Sequence, residues 1–172
     1  MAESGAPAAH GFRSDINGLR AVAIALVVAY HLAGPLAPGG FVGVDVFFVI
    51  SGFLMTNIIV GGLRDGRFDV WRFYLARLRR ILPALAAFCL ALWVVGATLI
   101  DPWTFQHIAA DIPGVLAFVS NAAFAGRHGY FAPDERDNWL LHTWSLSLEW
   151  QFYLLYPLLL LALFAVPVLK RR

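Results

Sequence analysis

Residues 81–100 read ILPALAAFCLALWVVGATLI, a stretch without one charged side chain. A helix of that length rises about 30 Å, the thickness of a bilayer's hydrocarbon layer, so the stretch reads as a transmembrane helix. Further apolar runs occupy 21–35, 41–63 and 144–169. Composition agrees with them. Of 172 residues, 60% are hydrophobic and only 14% charged, with a mean hydropathy of +0.69, whereas soluble domains carry about 25% charged residues. The fold class is therefore an all-α polytopic membrane protein, and a water-soluble globular domain is excluded. The polar leader is followed by no small-residue cleavage site, so the first span is expected to remain in the mature chain.

The flanks of 81–100 give the chain a direction. Before it, Arg64, Arg67, Arg72, Arg77, Arg79 and Arg80 face only Asp65 and Asp69. The positive-inside rule places this basic loop in the cytoplasm. Arg13 and Arg20 place the N-terminus there too, with residues 1–17 as an Ala-, Gly- and Ser-rich leader. Asp15 or Asn17 is expected to cap a first helix over 18–32. Gly34, Pro35, Pro38, Gly39 and Gly40 then turn the chain into a second helix over 41–63, where Gly43, Ser51 and Gly52 offer a surface for close helix contact. Pro83 falls in the expected first turn of the third helix, where its missing N–H is harmless.

After 81–100 the reading turns on residues 108–126. They are moderately apolar but contain Asp111, Pro113, Gly114, Ser120 and Asn121. If they spanned, Lys170, Arg171 and Arg172 would end outside, against the charge rule. A re-entrant or interfacial course is expected instead, with the loop 127–141 outside. The last apolar stretch, 140–169, is expected to be kinked at Pro157 and to descend to a basic cytoplasmic end at 170–172. The result is about four transmembrane helices plus one re-entrant or interfacial segment, with 18–169 as one membrane domain.

Several residue types sit expensively in this apolar setting. Arg20 and His31 are eleven residues apart, which on a helix returns to nearly the same face, roughly 20° apart in azimuth and ~16 Å apart along the axis. A histidine there either hydrogen-bonds a neighbouring helix or serves as a general base, since neutral imidazole accepts a proton from a hydroxyl near neutral pH. Arg20 either snorkels to the headgroups or acts with His31. Asp45, four residues into the second helix and close to the turn, is either a helix N-terminal carboxylate or a partner of His31. Ser145, Glu149 and Gln151 interrupt an aromatic and aliphatic stretch and need polar partners. They form either an interhelical knot or part of a site, and Trp144, Trp150, Tyr153 and Tyr156 read as interfacial anchors. Arg77 and Arg80, three apart at the mouth of the third helix, either fix topology and bind anionic lipid or hold phosphates. His107, His128 and His142 are too scattered for a metal site, and none is expected. The single cysteine, Cys89, excludes an internal disulfide and reads as a small core residue. A basic run beside a membrane is a weak nucleic-acid signal, and no nucleic-acid partner is expected.

Four pieces in order resemble the membrane-bound acyltransferase 3 family, O-acetyltransferases of cell-surface polysaccharides and other extracytoplasmic acceptors. They are Asp-Ile-Asn-Gly-Leu-Arg at 15–20 with His31 following, Gly-Val-Asp-Val-Phe-Phe-Val-Ile-Ser-Gly-Phe at 43–53, Arg77-x-x-Arg80 before Ile-Leu-Pro, and Trp-Ser-Leu-Ser-Leu-Glu-x-Gln-Phe-Tyr at 144–153. The resemblance implies acetyl-CoA as cytoplasmic acyl donor and a carbohydrate or other hydroxyl acceptor beyond the membrane. It implies His31 as base or acyl relay with Arg20 as its partner, Arg77 and Arg80 on the coenzyme phosphates, and Asp45 and Glu149 shaping the polar site. It implies a multi-pass protein of a bacterial-type inner membrane. Trp150 stands where the family often carries a second glutamate. The resemblance implies a domain of about ten membrane helices, of which the chain resembles the N-terminal half, either as a truncated product, as a fragment, or as one part of a split protein with a second polypeptide supplying the missing helices as partner. The rival readings are a proton-relay or transport module using His31, Asp45 and Glu149, and an inactive fragment whose polar residues only pack helices.

Overall fold

A computed structural model describes residues 13–33, 36–127 and 138–165. The expected leader before Arg13, Gly34 and Pro35 of the turn, most of the outer loop and the basic end lie outside the described residues. Six helices follow in order: α1 Ser14–Leu32, α2 Val42–Arg64, α3 Val70–Leu99, α4 Pro102–Leu116, α5 Ser120–Arg127 and α6 Thr143–Ala165. Four of them, α1, α2, α3 and α6, are long and apolar enough to cross a membrane. The chain divides into two compact units, residues 1–56 and 57–172, with the boundary inside α2.

In the first unit, α1 begins at Ser14, four residues before the expected Gly18. Neither Asp15 nor Asn17 is the cap. Arg13 takes that position without a side-chain cap bond, and Asp15 lies in the first turn, where the helix dipole favours a carboxylate. Asp15 also pairs with Arg13 at 2.8 Å. Glycine lets α2 lie against α1. A Cβ on Gly40 would collide with the Leu26 carbonyl oxygen, and one on Gly43 would stand 2.5 Å from the Ala23 carbonyl oxygen and 2.8 Å from a Val27 methyl. Backbones approach this closely only through such residues. Gly52, expected on the same kind of surface, has nothing within 4 Å of its Cβ position.

The second unit begins with the end of α2. Gly66 takes a left-handed φ of +64°, while its N–H bonds the Leu63 carbonyl and that of Arg67 bonds the Gly62 carbonyl, the Schellman closure of a helix. Asp69 then caps α3, accepting from the N–H groups of Trp71 and Arg72 at 2.8 and 3.0 Å. The basic stretch is therefore mostly helix rather than loop. Charge density obscured a run of good helix formers behind an N-cap. Pro83 accordingly lies inside α3, not in its first turn.

The 30 residues of α3 rise about 45 Å, enough to reach from the headgroup region across the hydrocarbon layer. Residues 108–126 form no spanning helix. Asp101 caps α4, with Pro102 at its start, and the 15-residue α4 rises only about 22 Å. It turns back on α3, where the Phe105 ring lies so near Gly96 that a Cβ there would approach within 2.7 Å.

The chain then breaks at Phe118, φ +57°, where the Schellman pair recurs. Phe118 N–H bonds the Val115 carbonyl and Val119 N–H bonds that of Gly114. The eight residues of α5 follow. Leu85, Cys89, Ile108, Val115, Phe118, Phe124 and Leu140 form the core of this unit. Described α6 is shorter than the expected 140–169, because residues 139–142 form a turn before Thr143.

Candidate active site

Arg20, His31 and Asp45 belong to the first unit, and Arg77, Arg80 and Glu149 to the second. Arg20 is half-buried, whereas His31 and Asp45 are exposed. The Nδ1 of His31 lies 2.8 Å from the carbonyl oxygen of Val27, one turn back on α1. A carbonyl only accepts, so Nδ1 must carry the proton, and in the neutral ring Nε2 keeps its lone pair. Among the described residues Asp45 and His31 share no hydrogen bond or ion pair, and Asp45 stands in the first turn of α2 at the favourable end of the helix dipole.

In the second unit the sequence positions 73, 77, 149 and 153 converge where α3 meets α6. The Arg77 guanidinium lies over two rings, 5.4 Å from Phe73 and 5.9 Å from Tyr153. The Tyr153 hydroxyl donates to the Glu149 carboxylate, and the Phe73 and Tyr153 rings meet edge to face. Arg77 Nε is buried and has no hydrogen-bond partner among the described residues. Arg80, one turn on, is exposed. One residue of the expected phosphate pair is thus built into the interior and the other is not. The Tyr74 hydroxyl on α3 donates to the Leu154 carbonyl on α6 at 2.7 Å.

The remaining polar residues of α6 divide by neighbour. Gln151 exchanges two hydrogen bonds with Asn121 on α5, each 2.9 Å, and also donates to the Phe118 carbonyl at 3.0 Å. Buried Ser147 meets Ser120 at 2.7 Å, with Thr143 3.2 Å from Ser120. Of the three residues expected to form a knot or a site, Gln151 takes part in these interhelical contacts, Ser145 bonds back to the His142 carbonyl, and Glu149 accepts from Tyr153 on its own helix. The Trp150 ring stacks on Phe118 at 4.9 Å. Tyr153, also read as an anchor, is buried. Asp111 is buried on α4 and accepts from Asn138. Nothing in its local sequence separated it from a polar interruption. Among the described residues no three His, Cys, Asp or Glu side chains gather where they would hold a metal ion.

Four apolar helices, a folded-back α4–α5 element and polar side chains held between α3 and α6 define a multi-pass membrane protein with interior polar sites. The chain belongs to the acyltransferase domain family, which matches residues 13–172. It is 36% identical over 149 residues to the peptidoglycan O-acetyltransferase OatA of Listeria monocytogenes, covering 86% of this chain and 24% of that protein. It is 37% identical over 155 residues to the putative peptidoglycan O-acetyltransferase YrhL of Bacillus subtilis, covering 88% and 24%. It is 46% identical over 145 residues to the putative membrane-bound transacylase BcsY of Komagataeibacter xylinus, covering 82% and 35%. The chain thus spans between a quarter and about a third of the length of these relatives. No solved structure matches it.

Proposed function

We propose that the chain carries the donor side and the base of a membrane O-acyltransferase, which moves an acetyl group from cytoplasmic acetyl-CoA to a hydroxyl of an extracytoplasmic carbohydrate such as the peptidoglycan named for its relatives. The observation that carries this reading is the His31–Val27 hydrogen bond, which leaves Nε2 as the basic nitrogen. In this reading the acceptor oxygen bonds to the acyl carbon while the thioester C–S bond breaks. His31 Nε2 takes the hydroxyl proton and returns it to the departing thiolate. Arg20 shares the His31 face of α1 but lies ~16 Å along the axis, so it acts at the donor end rather than on the imidazole.

Arg77 fits an anion, because its Nε is buried without an acceptor, and guanidinium donors match phosphate geometry. Arg80 adds a second, exposed cation, and Glu149 sets the charge beside Arg77. In this reading the membrane is a bacterial inner membrane, and the excess of arginines supports a cytoplasmic side for them and for the N-terminus.

The test is ester-bound acetate on the cell-surface polysaccharide of a deletion strain complemented with the protein carrying His31→Ala. Acetate is expected at the level of the uncomplemented strain. Acetate at the wild-type level removes the base from His31.

A further inference from the structure

Phe73 lies one turn before Arg77 on α3, and its ring is 5.4 Å from the Arg77 guanidinium. Side chains four apart on a helix share a face, so the backbone itself sets the ring beside the cation. The ring is fixed from several sides. Phe73 is buried, Phe68 meets it at 5.9 Å, and Tyr153 meets it edge to face at 6.5 Å. Phe68 is held in turn against Gly62 near the end of α2, where an added Cβ would stand 3.1 Å from the Phe68 Cβ. A guanidinium on a chain of rotatable bonds loses much side-chain freedom when it is brought to a ligand. That freedom is already restricted at Arg77, which is half-buried, with its Nε buried and without an acceptor. A desolvated cation over an aromatic face is held more firmly than one in water.

We propose that Phe73 is a positioning residue for Arg77, its π face holding the guanidinium so that the terminal N–H donors are presented to a phosphate-bearing ligand. A ring holds a guanidinium without using an N–H, whereas a carboxylate would occupy the donors that the ligand needs. The inference rests on the donor reading above only for the identity of that ligand. Fluorine on the ring draws electron density from the π face and nearly keeps the ring's shape, so it loosens the cation and leaves the packing in place. Phe68 is the matched control. Its ring packs on Phe73, and among the described residues no arginine lies over it.

The test uses the full chain in lipid nanodiscs, with mono-, di- or trifluorophenylalanine in place of Phe73 and trifluorophenylalanine in place of Phe68 as the control. The rate at which phenylglyoxal modifies Arg77 is read by peptide mass spectrometry. It is expected to rise with each fluorine on Phe73, to about fivefold with three, and to keep its wild-type value with fluorine on Phe68. Equal rates throughout overturn the proposal, as does an equal rise from Phe68, which would mark packing alone. Maleimide labelling of Cys89, buried in the core of the same unit, reports the fold. Faster modification of Arg77 together with labelling of Cys89 is unfolding and counts against the proposal. Binding of coenzyme A to the same proteins gives the second readout, with a dissociation constant about fivefold higher expected for trifluorophenylalanine in place of Phe73 alone. Unchanged affinity beside faster modification overturns the positioning role. Wild-type chain that binds no coenzyme A defeats the donor reading, while the modification rates still decide whether Phe73 holds Arg77.

Discussion

Phe118 occupies a backbone region that an aromatic residue rarely enters, with φ at +57°. Gly66 closes α2 with the same pair of hydrogen bonds at no steric cost. Phe118 is held there by its neighbours, since its ring stacks on Trp150 and its carbonyl accepts from Gln151. Removing the ring is expected to cost about 3–5 kcal/mol in Phe118→Ala. Phe118→Gly should cost about 1 kcal/mol less, because glycine alone adopts the left-handed conformation without penalty. Unfolding of both variants in detergent micelles checks this order, which is the reverse of that for an ordinary helical site. Gly43→Ala tests the other tight position. Its Cβ would stand 2.5 Å from a backbone oxygen, which cannot move as a side chain can, so a loss of about 1–3 kcal/mol is expected in the same assay. Gly43 was legible from sequence as a small residue in an apolar helix. Phe118 was not, because a left-handed aromatic leaves no mark in composition or period.

Two helices each owe their start to one carboxylate, Asp69 for α3 and Asp101 for α4. Asp69→Ala is expected to destabilise the first turn of α3 by about 1 kcal/mol, seen as faster amide exchange at Trp71 and Arg72. At α4, the Thr104 backbone N–H and then its side chain hold the Asp101 carboxyl below the usual carboxylate range, with the Trp103 N–H as a further donor. The folded value lies below the unfolded one, so this contribution is present above an unfolded pKa near ~4 and is lost as the pH falls through the folded value. Exchange at Trp103 and Thr104, compared with Asp101→Asn at each pH, should show protection at pH 7 that is kept down to about the unfolded pKa and falls away as the pH is lowered further, with no such change in the variant. Element types were legible wherever an apolar run was long. The start of α3 was masked by arginines that also mark a cytoplasmic flank, and the break of 108–126 into α4 and α5 depends on Phe118.

At the scale of the molecule, charge sets the expected course through the membrane. With Cys89→Ala as background, a cysteine at position 67 should react with an impermeant maleimide only after the membrane is opened. One at position 134 should react in intact cells. Labelling of position 67 from outside would reverse the orientation and place the arginine cluster away from cytoplasmic coenzyme.

Apolar run length, the distribution of arginines and the four linear motifs were all present in the sequence, because hydrophobic thickness and charge asymmetry act on contiguous residues. They were enough for the class, the four spans and the family. The tertiary structure decided which polar residues meet. Tyr153 became the neighbour of Arg77 and Glu149, Gln151 joined Asn121, and Asp45 shares no hydrogen bond or ion pair with His31. Contacts such as those of Gln151 with Asn121 and of Tyr153 with Arg77 join residues far apart in the chain. Such contacts depend on how whole helices pack and turn, and no local period encodes them.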